Sequence, residues 1–335
     1  MNFAVLGAGY WAPFQIAAWR EIPGVRCAAL YNRTREKAQA LAESFGIPAV
    51  YDDVEEMLAR EKLDFIDIIT DNSTHRRFVK AAAERGVPVI CQKPMAPTIE
   101  ECVDMVETCR AAGVPLLIHE NWRWQAPIRA LKASLDAIGR PVRATIRALT
   151  SHDDFQTQPF LKELERMVLA DMGVHLLDTT RFLFGEAESL YCQTMRVQSD
   201  LKGEDLATVL LRMRSGMTVV IEVAFARIPL EHDHYIQSLI FVEGQCGSAE
   251  LAPDYWLRVT TAEGTLARRH PPKPYPWSDP VQEVCTSSIV DCHRDLLAAL
   301  RGERPAETTG EDNLKTIRLL EACYHSAATG QALRL

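Results

Sequence analysis

Asn2-Phe3-Ala4-Val5-Leu6-Gly7-Ala8-Gly9-Tyr10-Trp11-Ala12 stands at the head of the chain, and its reading decides the fold. A short β-favouring run ends in Gly-x-Gly-x-x-Ala, and residues 12–21 then suit a helix. Strand, glycine turn and helix in that order are the setting in which the motif holds a dinucleotide. Gly7 permits the tight turn, Gly9 lets the backbone approach a pyrophosphate, and Ala12 keeps the helix close to the sheet. The unpaired N–H groups and the positive dipole end of the helix face the phosphate. Pro13 is tolerated in a first helical turn.

Outward from this stretch the alternation continues. Strands are predicted over 25–31, 64–70, 87–91 and 114–119, and helices over 34–45, 54–60, 73–85 and 98–111. Gly46, Gly86 and Gly113 follow helices where a left-handed cap is wanted. Thr98 with Glu101 forms a capping box. Alternating strand and helix predicts a doubly wound parallel sheet, here a domain over 1–120. Ligands of such sheets sit beyond the carboxyl ends of the strands. Those ends carry Gly7, Asn32, Thr70, Gln92-Lys93 and residues 119–124. An acid is expected about 20 residues past the glycines, to accept from a ribose 2′-hydroxyl. The chain offers Asn32-Arg33-Thr34 instead. A guanidinium suits a 2′-phosphate, so the reading favours NADP over NAD.

Residues 121–335 form the second expected domain. Strands are predicted over 142–149, 189–197, 206–214, 217–225, 237–242 and 248–251, with Ser215-Gly216 as a hairpin turn. Met217, Val219, Ile221, Val223 and Phe225 line one face of their strand. An opposite sheet face left bare would be a liability, so a homodimer or homotetramer is expected. Arg268-Arg269 and residues 271–280 read as an exposed loop, and two helices near 281–300 and 311–329 close the chain.

Ala170 to Arg181 reads Ala-Asp-Met-Gly-Val-His-Leu-Leu-Asp-Thr-Thr-Arg. In a helix, Asp171, His175 and Asp178 share one face, beside an apolar face of Leu169, Met172, Leu176 and Leu183. A His flanked by carboxylates can handle protons; the plain alternative is a surface helix with a solvated His. Lys93 also has two readings. It is a solvated strand-end lysine, or an ammonium that holds a substrate oxygen and favours alkoxide character. The loop over 151–156, with Asp153, is expected to rim a substrate pocket, and Asn121-Trp122-Arg123-Trp124 to enter it from the other side. Arg123 can hold a carboxylate or bridge hydroxyls, while Trp122 and Trp124 either face a sugar ring or pack in the core. Glu231-His232-Asp233-His234 lacks a spacing that fixes metal geometry, and no metal is expected.

Size and composition bound the rest. At 335 residues, two domains are expected. A net charge of −8 with no basic block argues against nucleic acid as a partner. No apolar run reaches a membrane span, and the N-terminus lacks a signal pattern. Nine cysteines, an odd number without a Cys-x-x-Cys pair, fit reduced thiols in a cytoplasm. Cys102/Cys109 and Cys285/Cys292 read as small buried side chains.

Taken together, the motifs resemble the Gfo/Idh/MocA oxidoreductases. The resemblance is carried by the opening glycine motif, Thr70-x-Asn72-x-x-His75, Gln92-Lys93-Pro94, Asn121-x-Arg123-x-x-x-Pro127 and Asp171-x-Gly173-x-His175-x-x-Asp178. The tail fits as well, with Gly302-x-x-Pro305 and Gly310-Glu311-Asp312. The resemblance spans essentially the whole chain. It implies an N-terminal Rossmann domain joined to a C-terminal α/β domain with a large, mainly antiparallel sheet. It further implies Lys93, Asp171 and His175 as the catalytic group, while the loop readings above place Asn121, Trp122, Arg123, Asp153 and His175 around the substrate. Gly7, Ala8, Gly9, Tyr10, Trp11, Asn32, Arg33, Thr70, Asn72, His75, Gln92 and Lys93 would lie along the cofactor. Two departures stand out: Gln92 where the family commonly has Glu, and Asp71 where Pro is usual. The activity implied is hydride transfer between NAD(P) and a secondary alcohol or ketone of a sugar, sugar derivative or cyclitol. The rivals are a glycoside-cleaving enzyme of the same superfamily and a non-catalytic NADP-binding regulator.

Overall fold

The computed structural model describes residues 1–235 and 237–335. The chain divides into two compact units, Met1–Asn121 with Ile289–Ile317, and Trp122–Ser288 with Arg318–Leu335.

In the first unit, β1 (Asn2–Leu6), α1 (Ala12–Arg20), β2 (Arg26–Tyr31), α2 (Arg35–Phe45), β3 (Ala49–Tyr51), α3 (Val54–Arg60), β4 (Phe65–Ile68), α4 (His75–Ala83), β5 (Val89–Gln92), α5 (Ile99–Ala112) and β6 (Leu116–His119) alternate as expected. The sheet order is β3-β2-β1-β4-β5-β6, and every pairing is parallel. Strands buried on both faces read as continuous apolar runs, and β1 and β4 are apolar but for Asn2 and Asp67. The local signals act as their chemistry requires. The Thr98 hydroxyl accepts from the Glu101 N–H at 3.2 Å, and Gly46 and Gly113 end α2 and α5 in left-handed conformations.

The second unit holds α6 (Ala126–Ser134), β7 (Pro141–Leu149), α7 (Val174–Phe184), β8 (Ala187–Met195), β9 (Leu206–Met213), β10 (Thr218–Ala224), β11 (Leu239–Gly244), β12 (Gly247–Ala252), β13 (Trp256–Thr261) and β14 (Gly264–Arg269). Two closing helices, α8 (Glu283–Leu300) and α9 (Gly310–Thr329), and a short β15 (Leu333–Arg334) complete the chain. The second sheet runs β14-β13-β12-β11-β7-β10-β9-β8-β15, antiparallel except where β7 meets β10. Met217, Val219, Ile221, Val223 and Phe225 are all buried, as their alternation predicts. The turn at Ser215-Gly216 is tied by Gly216 N–H to Met213 O at 2.8 Å.

Two expectations need correction. Residues 289–317 pack with the first unit rather than with the second, which sequence alone ran unbroken from 121 to 335. The reason is local: Trp19 stacks on His293 with centroids 3.8 Å apart, and Ile118 N–H donates to Thr308 O at 2.8 Å. This segment therefore covers the free edge of β6. Arg268 and Arg269 lie in β14, not in a loop. Every residue of β14 is exposed, so this edge strand carries no buried face that periodicity could register. None of the nine cysteines is in a disulfide, and Cys102, Cys109, Cys285 and Cys292 are buried. Among the described residues, no helix is long and apolar enough to cross a membrane.

Candidate active site

In the first unit the strand ends gather the fingerprint residues at one edge. Gly7 has φ +117°, and a Cβ there would stand 2.5 Å from Ile69 O, so only glycine fits. A Cβ on Gly9 would meet nothing within 4 Å, which leaves open space over the turn. Asn32, at the end of β2, accepts the Ala8 N–H at 3.1 Å and donates to Thr34 O at 2.9 Å. It thereby shapes the glycine turn from the neighbouring strand. Tyr10 and Trp11 meet edge to face at 5.3 Å and lean on Phe14. Arg33 is exposed, and Arg35 pairs with Asp52 at 3.4 Å. The Gln92 amide nitrogen is buried without a hydrogen-bond partner among the described residues. A buried unpaired donor calls for an acceptor. The open turn, the helix N-terminus behind it and this orphan amide fit a nicotinamide dinucleotide. Gly7, Ala8, Gly9, Tyr10 and Trp11 would hold its pyrophosphate side, and Gln92 would meet an acceptor near Lys93.

Past β4, Asp71 takes the place of the usual proline by capping the next turn, accepting the Ser73 N–H at 3.0 Å. Thr74 Oγ1 donates to Thr70 Oγ1 at 2.8 Å, and Asn72 opens that short turn. His75 is placed differently from the expectation. It is 1% exposed, with Nδ1 3.0 Å from Met95 O and Nε2 3.0 Å from Thr70 O. Both ring nitrogens are engaged with backbone carbonyls, so His75 shapes the chain on either side of Lys93 rather than lining a cofactor surface. Burial pushes its imidazole below the ordinary histidine range, against the opposing pull of those carbonyls. Lys93 is half-buried, and Asn121 is buried.

In the second unit the expected regular helix of the 170s begins with a π-helical turn, Leu169–Gly173, before α7. Val174 N–H reaches back to Leu169 O. Single π turns are frequent at functional sites. A buried carboxylate anchors this one: Glu204 accepts from Met167 N–H at 3.2 Å and Leu169 N–H at 3.1 Å. Tyr324 Oη accepts from Ala170 N–H at 3.1 Å and donates to Glu204 at 2.7 Å. Burial, with the Glu204 carboxylate beside it, pushes that phenol far up.

His175 is not a solvated surface histidine; it is 4% exposed. Its ring lies parallel to that of Trp122, centroids 4.7 Å apart and planes 5° apart. Trp122 is 1% exposed, so it backs the histidine and offers no open face to a sugar. Trp124 is half-buried, with the Arg129 guanidinium 3.5 Å above its ring. Arg123 departs from its expected substrate role: it is buried and bonded twice to Asp178, Nε to Oδ2 at 2.7 Å and Nη2 to Oδ1 at 2.6 Å. The carboxylate that this guanidinium binds is the protein's own, because both charges are buried and must be paired. Asp178 thus leaves the proton-handling line, and Asp171 is half-buried at the π turn.

The loop flagged around Asp153 is pinned by Asp233, which accepts from Thr150 Oγ1 at 2.8 Å and from Ser151 N–H at 2.7 Å. These bonds give Asp233 a structural task, and they hold its carboxyl below the usual range against the pull of burial. Asp153 keeps one buried carboxylate oxygen without a partner among the described residues. Next to it, Asp154 is buried and accepts from Tyr235 Oη. Burial raises the Asp154 carboxyl, and the Asp171 charge adds to the rise. Asp154, Tyr235, Glu204 and Tyr324 escape sequence reading. The only signal was the polarity of the 151–156 loop, which does not tell which of two adjacent aspartates turns inward. Among the described residues no group of three or more His, Cys, Asp or Glu is arranged to hold a metal ion.

A glycine cradle built for a dinucleotide, and in the second unit a buried histidine just past a π turn, define a nicotinamide-dependent oxidoreductase. Residues 1–120 match the oxidoreductase family with an NAD-binding Rossmann fold, and residues 128–250 match the GFO/IDH/MocA C-terminal domain. The chain is 39% identical over 334 residues to a D-apiose dehydrogenase of Paraburkholderia graminis, covering 99% of this chain and 89% of that protein. It is 36% identical to a D-apiose dehydrogenase of Rhizobium rhizogenes, covering 98% and 96% of the two. Among solved structures, an Agrobacterium radiobacter oxidoreductase in complex with NAD+, L-tartaric acid and magnesium superposes with a TM-score of 0.97. That pair is 35% identical over 100% of this chain and 98% of the other. The chain belongs to the Gfo/Idh/MocA family of oxidoreductases. It is an NAD(P)-dependent dehydrogenase acting on carbohydrate-like substrates.

Proposed function

We propose that this dehydrogenase oxidises a CH–OH group of a neutral sugar, with D-apiose the first substrate to try. Relatives of that name matched along almost the whole chain support the choice. The observation that carries the reading is the buried His175 ring, seated on Trp122 just past a π turn that bears Asp171. His175 takes the hydroxyl proton in oxidation and returns it in reduction, since an ordinary imidazole titrates near working pH. Lys93 holds the same oxygen and favours its alkoxide character. Asp171 orients the site and offsets the Lys93 charge. Bound NAD(P) supplies the acceptor or donor of hydride. Asn121 and Asp153 hold substrate hydroxyls, and the exposed Arg33 favours NADP.

We place the enzyme in a reducing compartment, the cytoplasm, and in a homodimer or homotetramer. The outer face of the second sheet supports an assembly. Tyr191, Leu210, Val220, Thr145 and Phe241 follow one another across neighbouring strands, and Leu210 and Phe241 are exposed.

The test is turnover on a panel of D-apiose, D-xylose and inositols with each cofactor, followed by nicotinamide absorbance. His175→Ala should lose about 10²–10⁴-fold in turnover and keep cofactor affinity. Free sugar released from a glycoside without net absorbance change would favour the glycoside-cleaving rival. Cofactor binding without turnover on the whole panel would favour the regulator.

A further inference from the structure

We infer that Trp122 is a positioning residue, whose indole face fixes the plane of the His175 ring and favours that ring in its protonated form. The inference rests on the reading of His175 as the group that carries the proton. The geometry is specific. Two rings 5° from parallel with centroids 4.7 Å apart leave His175 little freedom to turn about its own axis. The indole face is electron-rich, and it attracts a cation within about 6 Å of its centroid. Neutral imidazole gains less from that face than imidazolium does. Burial works in the opposite direction, against the charged ring. A fully buried indole behind the histidine therefore offsets part of the desolvation that would otherwise strip its proton.

The seat is itself braced. Trp122 and Arg123 belong to one turn, Trp122–Trp124, and Arg123 is locked to Asp178, three residues past His175 on α7. The ring contact and the ion pair thus join the same two segments side by side. Charged groups stand on each segment next to His175. Asp171 is on the preceding π turn and Asp178 on the same helix, where Asp178 is bound by Arg123 and lies 3.8 Å from Arg181. On the 122–124 turn the charge is Arg123 itself. The strand β10, packed against α7, turns Val219, Ile221 and Val223 to its buried side. The loop beyond brings Asp154, whose raised carboxyl responds to Asp171. Lys93 shares the substrate oxygen with His175 in the proposed reaction. With Asp178 bound to Arg123, Trp122 is the group of the 122–124 turn that lies on the imidazole ring.

The experiment compares the wild-type enzyme with Trp122→Leu and Trp122→Phe. His175 is assigned in a nitrogen-15 NMR titration by the peak missing from His175→Gln. In Trp122→Leu, the His175 midpoint should fall by about one pH unit, a tenfold loss in proton affinity. Its kcat should fall about tenfold, with KM and cofactor affinity held. Trp122→Phe keeps an aromatic face and should recover most of both. An unmoved His175 midpoint in the Leu variant overturns the inference, as does a Phe variant no better than Leu. Should Trp122→Leu fail to fold, Trp122→Phe alone decides. Its weaker ring face should lower the midpoint by about 0.3 unit, and a midpoint that stays or rises overturns the inference. If no sugar is turned over by any form, the proposed reaction falls, while the titration still decides whether Trp122 holds the proton on His175.

Discussion

Arg123 and Asp178 form a bidentate ion pair 55 residues apart in sequence, and both side chains are buried. Removing Arg123 takes away both short bonds to the buried Asp178 carboxylate and leaves it the longer 3.8 Å contact to Arg181. Arg123→Met is expected to cost about 3–5 kcal/mol of stability by urea unfolding. The double variant Arg123→Met/Asp178→Leu should recover part of that loss, because no lone charge remains. Equal stabilities for the single and double variants would show that the carboxylate finds another partner.

Gly7 gives a second test. Its φ of +117° and the 2.5 Å approach of a hypothetical Cβ to Ile69 O make even alanine too large. Gly7→Ala should distort the turn and weaken both cofactors by at least about tenfold, at a strain of order 1–3 kcal/mol. Tryptophan fluorescence quenching on titration with each cofactor reads this directly. Gly9→Ala, with open space around its Cβ, should disturb the free protein far less.

The proposed role of Arg33 as reader of a 2′-phosphate is tested by comparing the two cofactors. A charge-assisted bond to a 2′-phosphate contributes about 1.5–3 kcal/mol. Arg33→Ala should therefore weaken NADP by about tenfold or more and leave NAD nearly unchanged. Equal losses for both would remove Arg33 from cofactor choice.

The buried pair Asp67 and His293 predicts an unusual pH dependence. Burial raises the Asp67 carboxyl from 3.8 to about 7, against the pull of the Trp19 N–H bond, and lowers His293 well below 6.5. A raised carboxyl contributes stability that is full below about 3.8 and is lost as pH rises towards 7. A depressed histidine contributes stability that is full above 6.5 and is lost as pH falls. Between about 4 and 6.5 the unfolded chain carries one proton on His293 and the folded chain one on Asp67, so the two slopes cancel. Asp67→Asn should unmask the histidine and make stability fall with acid across that window. His293→Phe should reverse the slope. Melting temperatures measured from pH 4 to 7 for the three proteins check both signs.

Thiol reactivity follows exposure. Of the nine cysteines, none in a disulfide, only Cys246 is exposed; burial lifts the Cys27 and Cys109 thiols to about 12 and Cys91 well above the ordinary range, and the hydrogen bond with Cys192, with burial, lifts Cys323 likewise. Thiolate is the reactive form. One fast-reacting group is expected with a disulfide reagent under native conditions, and Cys246→Ser should abolish it.

The parts of this structure that the sequence makes legible are those set by neighbours in the chain. The glycine turn at Gly7, the Thr98 cap and the alternation of Met217 to Phe225 each follow from local sterics or periodicity. The parts that escape are set by distant partners. Nothing near residue 169 announces a π turn; Glu204, more than thirty residues on, holds it. The charges of Arg123 and Asp178 are plain in the sequence, but their mutual neutralisation is not, and so Arg123 reads as a substrate ligand. His75 reads as a cofactor residue because its motif is recognisable, while the carbonyls of Thr70 and Met95 that engage it carry no sequence signal.

The return of residues 289–317 to the first unit has a consequence for biosynthesis. On the ribosome, the opening 121 residues emerge long before the segment that supplies His293 to Trp19 and Thr308 to Ile118. The nucleotide-binding half must therefore wait, with one sheet edge bare, until nearly the whole polypeptide has been translated. No single scissile point in the chain yields two self-sufficient fragments, and a polypeptide truncated after residue 121 should be held by chaperones rather than accumulate in native form.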